Sequence, residues 1–102
     1  MRQFDAYLNP SPTSQDIAPF LVVLSSHHLR NLTDVIVAPA IADATRVVGE
    51  VELEVEINGR PLVLVLSDLF SVSLSQLRKS AGSLAAHEDA IRRGLERLFT
   101  GF

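Results

Sequence analysis

The sequence predicts a mostly β domain of the α+β class, with antiparallel strands in a small barrel or sheet and one C-terminal α-helix laid against them. Three observations support this prediction. Residues 51–66 alternate like a β-hairpin, residues 20–24 form a continuous apolar run, and residues 83–99 carry an apolar stripe at helical spacing. A chain of 102 residues with 47% hydrophobic residues is expected to form a single domain, residues 1–102, around one packed core.

The first forty residues predict three strands separated by polar loops. Residues 3–8 can form a strand, and the segment NPSPTSQD that follows predicts a surface loop because it contains two prolines and several turn-forming residues. The apolar run at 20–24 is typical of a strand that is covered on both faces. After the polar stretch 25–34, residues 35–40 resume a strand pattern, and Pro39 should end that strand or lie on an edge.

The segment VELEVEINGRPLVLVL gives the clearest prediction in the sequence. Residues 41–49 before it are compatible with a helical turn or a loop. Apolar residues and glutamates then alternate over 50–57, so one face of this strand should be buried and the other exposed to solvent. Asn58 and Gly59 supply the positive φ angles of a tight hairpin turn, and residues 61–66 return as a more deeply buried strand.

The remaining chain predicts short elements and then the helix. Residues 67–77 should form a turn with one or two short strands or helical turns, and residues 78–82 a connector. Ser83 is a plausible helix N-cap, and the helix should run from about Ser83 to Phe99 before stopping at Gly101. Glu88 and Arg92 lie four residues apart in the favourable order for an ion pair. The apolar stripe of this helix consists of Leu84, Ile91, Leu95 and Leu98.

Composition favours a protein partner over nucleic acid or membrane. The net charge of -3 disfavours direct nucleic-acid binding, which normally requires a basic face. The sequence has no apolar run long enough to span a membrane and no signal-like N-terminus, so we expect a cytoplasmic protein. The absence of cysteine excludes disulfides, thiolate metal sites and a cysteine nucleophile.

The residues suited to catalysis or metal binding are not arranged as sites. His27 and His28 are adjacent, so on a strand they would face opposite ways, and no third ligand lies at a suitable spacing. The alternating glutamates form a row that faces water, and a role against edge-to-edge sheet pairing explains them better than acid–base catalysis. His87 is expected at the surface, and Asp68 in a turn. We therefore predict no catalytic residue, no metal site and no cofactor.

The apolar C-terminal residues allow two interpretations. Phe99 and Phe102 could pack into the core of their own chain or into a dimer interface, as apolar residues at helical spacing usually do. Alternatively, the stripe residues suffice for the core, and the two aromatic rings are held out for a pocket on a partner protein. Periodicity alone does not decide between these interpretations.

Several motifs together resemble the CcdB family, the toxin half of bacterial toxin–antitoxin pairs. They are the starting Gln3-Phe4, the strand end VIVAPA, the hairpin I-N-G, the segment SDLFSV and a final helix HEDAI…L-x-x-L-F-x-G with one last apolar residue. The resemblance covers essentially the whole chain in one register, apart from a longer loop near 10–16 and a shorter one near 42–50. It implies an SH3-like barrel of the CcdB/MazF kind with a C-terminal helix.

The resemblance also implies partners and an activity that needs no catalytic residue. Family members form homodimers that insert the ends of their terminal helices into the DNA gyrase A subunit and trap gyrase on cleaved DNA. A cognate antitoxin, CcdA-like, wraps and neutralises the dimer, and operator DNA is bound only through the toxin–antitoxin complex.

Residue by residue, the resemblance assigns a gyrase-binding tip. Phe99 and Gly101 match the family tail, and Phe102 stands where an apolar residue closes the chain. Thr100 departs from the best-known member, which has a tryptophan there that stacks on a gyrase arginine. The second contact patch falls on His28 and Leu29, of which only Leu29 is apolar. These departures predict binding that is weaker or adapted to another gyrase.

Two other functions stay open on the sequence alone. One is a MazF-like endoribonuclease, which shares the barrel fold, although the acidic balance and the lack of a clustered Arg–Ser/Thr–His set count against it. The other is a non-toxic relative that only binds an antitoxin. RNA cleavage would favour the first alternative, and antitoxin binding without growth arrest on expression would favour the second.

Overall fold

The computed structural model describes residues 1–25, 33–43 and 49–101, which form seven β-strands and one α-helix. Most of the polar segment 25–34 and of the segment 41–49, predicted as a helical turn or a loop, lies outside the described residues. The elements are β1 (Asp5–Leu8), β2 (Phe20–Val23), β3 (Asp34–Ile41), β4 (Glu52–Ile57), β5 (Arg60–Val65), β6 (Phe70–Ser73), β7 (Ser80–Ser83) and α1 (Glu88–Thr100).

All strand pairs are antiparallel and belong to a single sheet. The order is β4-β5-β3-β2-β1-β7, and β6 pairs with the other half of the β3 edge that β5 uses. The strands curl into a partial barrel with α1 packed against it, so the predicted fold class is confirmed. Within the described ranges, no helix is both long enough and apolar enough to cross a membrane.

The hairpin forms as its alternation predicts. β4 and β5 pair from Glu52 with Val65 to Ile57 with Arg60, and the turn places Asn58 at φ 55° and Gly59 at φ 75°. Such angles cost a glycine little, and asparagine tolerates them better than most residues, so the Asn-Gly pair fits this turn. Val55 and Ile57 are buried whereas Glu54 and Glu56 are exposed, as predicted.

Pro39 does not end β3, which continues to Ile41. The amides of alternate β3 residues face β2, as the hydrogen bond from the Leu24 N–H to the Ile36 carbonyl shows, and Pro39 lies out of phase with them. Its nitrogen therefore faces the opposite edge, where the pairing to β6 stops at Val37 and the pairing to β5 starts at Ala40. A proline is tolerated here because no ladder hydrogen bond is required of it.

The core lies mainly on one face of the sheet, with a smaller cluster on the other. The larger cluster contains Phe4, Leu64 and Leu66 and receives Ile91 from α1. The smaller cluster contains Leu21, Val23, Val35, Val37 and Leu77. Because β2 contributes to both clusters, all four of its residues are buried, in agreement with its continuous apolar sequence.

Two predicted boundaries are wrong. The connector predicted at 78–82 contains most of β7, which pairs with β1 through its main chain although its sequence, SAGS, has no β-branched or aromatic residue. The helix begins at Glu88 rather than near Ser83. Ser83 ends β7, and its hydroxyl accepts a hydrogen bond from the Ala85 N–H at 3.1 Å, so it organises the 3₁₀ turn Ala85–His87 before the helix.

Candidate functional site

The end of α1 exposes apolar side chains that the fold does not use. Phe99 is 70% exposed and Leu98 is 36% exposed. The prediction that Leu98 belongs to the core stripe is therefore wrong, whereas Ile91 is fully buried and Leu95 is partly buried against the larger cluster, as predicted. Gly101 ends the helix at φ 78°, and its N–H donates to the Arg97 carbonyl at 3.0 Å, as predicted for a left-handed C-cap.

Gly94 brings the middle of α1 very close to the turn after β5 and to the segment before β4. A Cβ at this position would overlap Leu66 Cδ1 and would lie 2.6 Å from the Glu50 carbonyl oxygen. Only a glycine fits such an approach without displacing backbone. Together with Ile91, which is fully buried, Gly94 fixes the depth at which the helix lies.

An ion pair holds the last turns of α1 to the segment before β4. The Arg97 guanidinium donates to both carboxylate oxygens of Glu50, from Nε to Oε2 and from Nη2 to Oε1 at 2.6 Å. This hydrogen bond, with the charges of Arg97 and Arg93, lowers the pKa of Glu50 below its usual range. The bidentate geometry restricts the rotation of α1 more than a single contact would.

The first turns of α1 contact the residues just before β1. Arg92 Nε donates to Glu88 Oε2 at 2.9 Å, which confirms the predicted i,i+4 pair. The same guanidinium lies 5.5 Å from the centroid of the Phe4 ring and contacts Gln3 Oε1 at 3.4 Å. Because α1 has contacts at its start, middle and end, Phe99 projects from a helix that is packed against the rest of the fold.

The structure brings three of the predicted site residues together at this tip. Phe99, Thr100 and Gly101 are consecutive and exposed, and the Thr100 hydroxyl donates to the Glu96 carbonyl of its own helix. Phe102, His28 and Leu29, which complete the predicted set, lie outside the described residues, as does His27.

The titratable side chains of the described residues form no metal centre. No group of three His, Cys, Asp or Glu residues within 1–25, 33–43 and 49–101 could hold a metal ion. Burial, assisted by the charge of Asp5, raises the pKa of Tyr7, which packs against the smaller apolar cluster rather than beside a nucleophile. The tip and its supports are suited to binding.

Sequence reasoning missed the two residues that position the tip. Gly94 could have been noticed, because a glycine inside a helical pattern costs about 1 kcal/mol relative to alanine and usually has a packing reason. No local signal identifies Glu50 as the partner of Arg97, since 47 positions separate them in the chain.

Comparison with known proteins agrees with this architecture. Residues 3–101 match the family described as CcdB protein. Among solved structures, the chain is similar to the Mycobacterium tuberculosis toxin MazF-mt6, with 23% identity and a TM-score of 0.67, over 83% of this chain and 94% of that one. It is also similar to a structure described as an Mtb toxin, with 26% identity and a TM-score of 0.67, over 81% of this chain and 96% of that one. No curated protein matches.

Similarity to the first of these structures supports only the fold, because the sequence identity is 23%. The family match supports membership of the family, because it spans residues 3–101 and so includes Phe99, Thr100 and Gly101 at the end of α1. The protein is therefore a member of the CcdB family of toxin–antitoxin toxins.

Proposed function

We propose that this protein binds the DNA gyrase A subunit with the tip of α1 and traps gyrase on cleaved DNA without catalysing a reaction itself. The binding residues are Phe99, Thr100, Gly101 and Phe102, with His28 and Leu29 as a second patch. The active species is a cytoplasmic homodimer that a cognate antitoxin neutralises, and the complex of toxin and antitoxin represses its own operon.

The exposure of Phe99 on a helix that packs against the rest of the fold is the observation that carries this proposal. An aromatic ring that is 70% exposed is available to fill a pocket on another protein. The contacts of Ile91, Gly94 and Arg97 hold the helix in place before binding. A partner therefore does not have to order the helix, and this lowers the cost of association.

Phe99 does not pack into the core of its own chain, because its side chain is 70% exposed. A dimer interface remains a competing use of the same ring. The two uses are distinguishable, because a dimer contact would change the oligomeric state when Phe99 is removed, whereas a gyrase contact would not.

The test is a calorimetric titration of the protein against the gyrase A fragment from its own host. Phe99→Ala is expected to weaken binding at least about tenfold, because burying a phenylalanine contributes roughly 1.5–3 kcal/mol. Ile17→Ala is the matched control, since Ile17 is 67% exposed but lies in the loop before β2. This control is expected to bind as the wild type does.

Equal affinities for wild type and Phe99→Ala would contradict the proposal. A cleavage assay with gyrase and DNA should show accumulation of cleaved complex with wild type and little with Phe99→Ala. Selective RNA cleavage by the purified dimer would instead identify an endoribonuclease. Antitoxin binding without growth arrest on expression would identify a non-toxic relative.

A further inference from the structure

The starting Gln3-Phe4 motif belongs to a turn that has no role in the proposed function so far. The Asp5 N–H donates to the Arg2 carbonyl at 3.2 Å, and the Arg2 N–H donates to the Asp5 carboxylate at 2.9 Å. Within this turn Phe4 has a φ angle of 71°, a conformation that is uncommon for residues other than glycine. A phenylalanine keeps such a conformation only where the surrounding structure holds it there.

Three parts of the fold hold Phe4 in this conformation. Its N–H donates to the Val23 carbonyl of β2 at 2.7 Å, and its carbonyl accepts from the Leu84 N–H at 2.8 Å. The ring is 2% exposed and belongs to the larger apolar cluster, and the Arg92 guanidinium lies 5.5 Å from its centroid. The turn is therefore fixed by β2, by the chain that leads into α1 and by α1 itself.

Gln3 uses both ends of its side-chain amide to join α1 to the end of β2. Its Nε2 donates to the Leu24 carbonyl at 2.9 Å in a partly buried hydrogen bond, and its Oε1 accepts from Arg92 Nη2 at 3.4 Å. The second contact is the longer one, but Arg92 is also oriented by Glu88 and by the Phe4 ring. A primary amide suits this bridge because it is a donor and an acceptor at once.

The end of β2 is relevant to binding because the chain continues from it towards the second proposed gyrase patch. Residues 28 and 29 of that patch follow Leu24 by four and five positions in the sequence. The Ser25 hydroxyl accepts from the Ile36 N–H of β3 at 2.6 Å. The point from which the chain leaves the sheet is therefore held by β3 on one side and, through Gln3, by α1 on the other.

We propose that Gln3 is a positioning residue for gyrase binding. Through Arg92 and Leu24 it fixes α1 relative to the end of β2, and so fixes the α1 tip relative to the chain that leads to the second patch. A partner that contacts both surfaces binds more tightly when their relative position is set beforehand, because less ordering is needed on association. This inference rests on the proposed function, which supplies the two surfaces.

The first test is the calorimetric titration against the gyrase A fragment, with Gln3→Ala, Arg92→Ala and the double variant. Each single variant should weaken binding about three- to tenfold, which is the loss expected when one hydrogen-bonded support is removed. The double variant should bind about as the weaker single variant does, because both residues belong to one support. Losses that add in the double variant would overturn the inference.

The Gln3→Glu variant tests the bridge to β2 separately. Its carboxylate still accepts from Arg92 but has no hydrogen to donate to the Leu24 carbonyl. We therefore expect it to weaken gyrase binding as Gln3→Ala does. Wild-type affinity in Gln3→Glu would show that the contact with β2 is not needed, and would overturn the inference.

Gln15→Ala and Arg60→Ala are the matched controls for these titrations. The Gln15 amide also donates to a main-chain carbonyl, that of Asn9 at 2.6 Å, but it lies in the loop before β2. Arg60 is an exposed cation at the start of β5. Both controls should bind gyrase as the wild type does. All titrations are made at a temperature at which thermal unfolding shows every variant folded, so that lost stability alone does not lower the affinity.

A measurement without gyrase tests the position of α1 directly. Residual dipolar couplings of backbone amides report the orientation of the helix relative to the strands. The couplings of α1 and of the sheet should fit one alignment frame in the wild type and in Gln15→Ala. In Gln3→Ala the couplings of α1 should fit a different orientation or a lower degree of order, while those of the sheet stay the same. Unchanged α1 couplings in Gln3→Ala would overturn the inference.

The two proposals fail in different ways. If the wild type does not bind the gyrase A fragment, the proposed function is wrong, and the role of Gln3 in gyrase binding is lost with it. If the wild type binds and Phe99→Ala binds weakly but Gln3→Ala binds as the wild type does, only the inference about Gln3 is wrong.

Discussion

Gly94 shows how one residue without a side chain determines the position of a functional surface. Its Cα faces Leu66 and the main chain of Glu50, so any larger residue would push α1 outward. An outward shift at Gly94 would move Phe99, which lies little more than one turn further along the same helix. Glycine is an unfavourable helix residue, and close packing explains its presence here.

Gly94→Ala is expected to lower the free energy of unfolding by about 1–3 kcal/mol, despite the better helix propensity of alanine. The new methyl group would lie 2.6 Å from a backbone carbonyl oxygen, which cannot rotate away as a side chain can. Denaturant unfolding followed by circular dichroism measures this change. Gly49→Ala is the control, because a methyl group at Gly49 would meet no atom within 4 Å, and it should change stability by less than about 0.5 kcal/mol. A more stable Gly94→Ala variant would refute the packing argument.

At the scale of elements, α1 depends on a contact with the segment before β4. Arg97 and Glu50 join the helix end to this segment through two hydrogen bonds. The pKa of the Glu50 carboxyl is lower in the folded protein than its usual value of 4.5. The contact therefore stabilises the fold above that value and is lost as the pH falls through the lowered pKa.

Glu50→Gln is accordingly expected to lower the melting temperature slightly at neutral pH and to have no effect in acid well below pH 4.5. Both groups are exposed, so solvent screening keeps the effect small. Thermal unfolding of wild type and variant across this pH range is the measurement. Glu54→Gln removes the same charge from β4 without a contact to Arg97 and serves as control. A difference between wild type and Glu50→Gln that persists undiminished in acid would contradict the assignment.

The elements that the sequence predicts well are those with local signals. The hairpin follows from strict alternation and an Asn-Gly turn, and β2 follows from its uninterrupted apolar run. β7 is not predicted from the sequence, because it pairs with β1 through main-chain groups and its small side chains show no strand pattern. Leu98 keeps the period of the core stripe but is 36% exposed, and periodicity carries no information about where a supporting surface ends.

The tip shows the same division between local and long-range information. Its aromatic character and its glycine stop are visible in the sequence, and the structure confirms the left-handed Gly101. That Phe99 is exposed follows only from the placement of α1 on the sheet. This placement depends on contacts of Gly94 and Arg97 with residues far away in the chain.

For the whole molecule, the tip is separable from the fold. Deleting Gly101 and Phe102 should change the melting temperature by only a few degrees, because α1 is held by Ile91 and Gly94 upstream. The same deletion should abolish binding to the gyrase A fragment, since it removes part of the proposed surface. Thermal unfolding and titration of one preparation measure both quantities. Loss of the cooperative transition would instead place these residues in the core.

The pairing of β1 with β7 also has a consequence during protein synthesis. Asp5 pairs with Ser83, and the Phe4 carbonyl accepts a hydrogen bond from the Leu84 N–H. The sheet is therefore incomplete until residues 83 and 84 have left the ribosome. α1 comes after β7, and the surface on which it docks includes Phe4 and Leu66. The helix tip is therefore assembled after the sheet, and a translation product that stops before α1 would lack the gyrase-binding surface we propose.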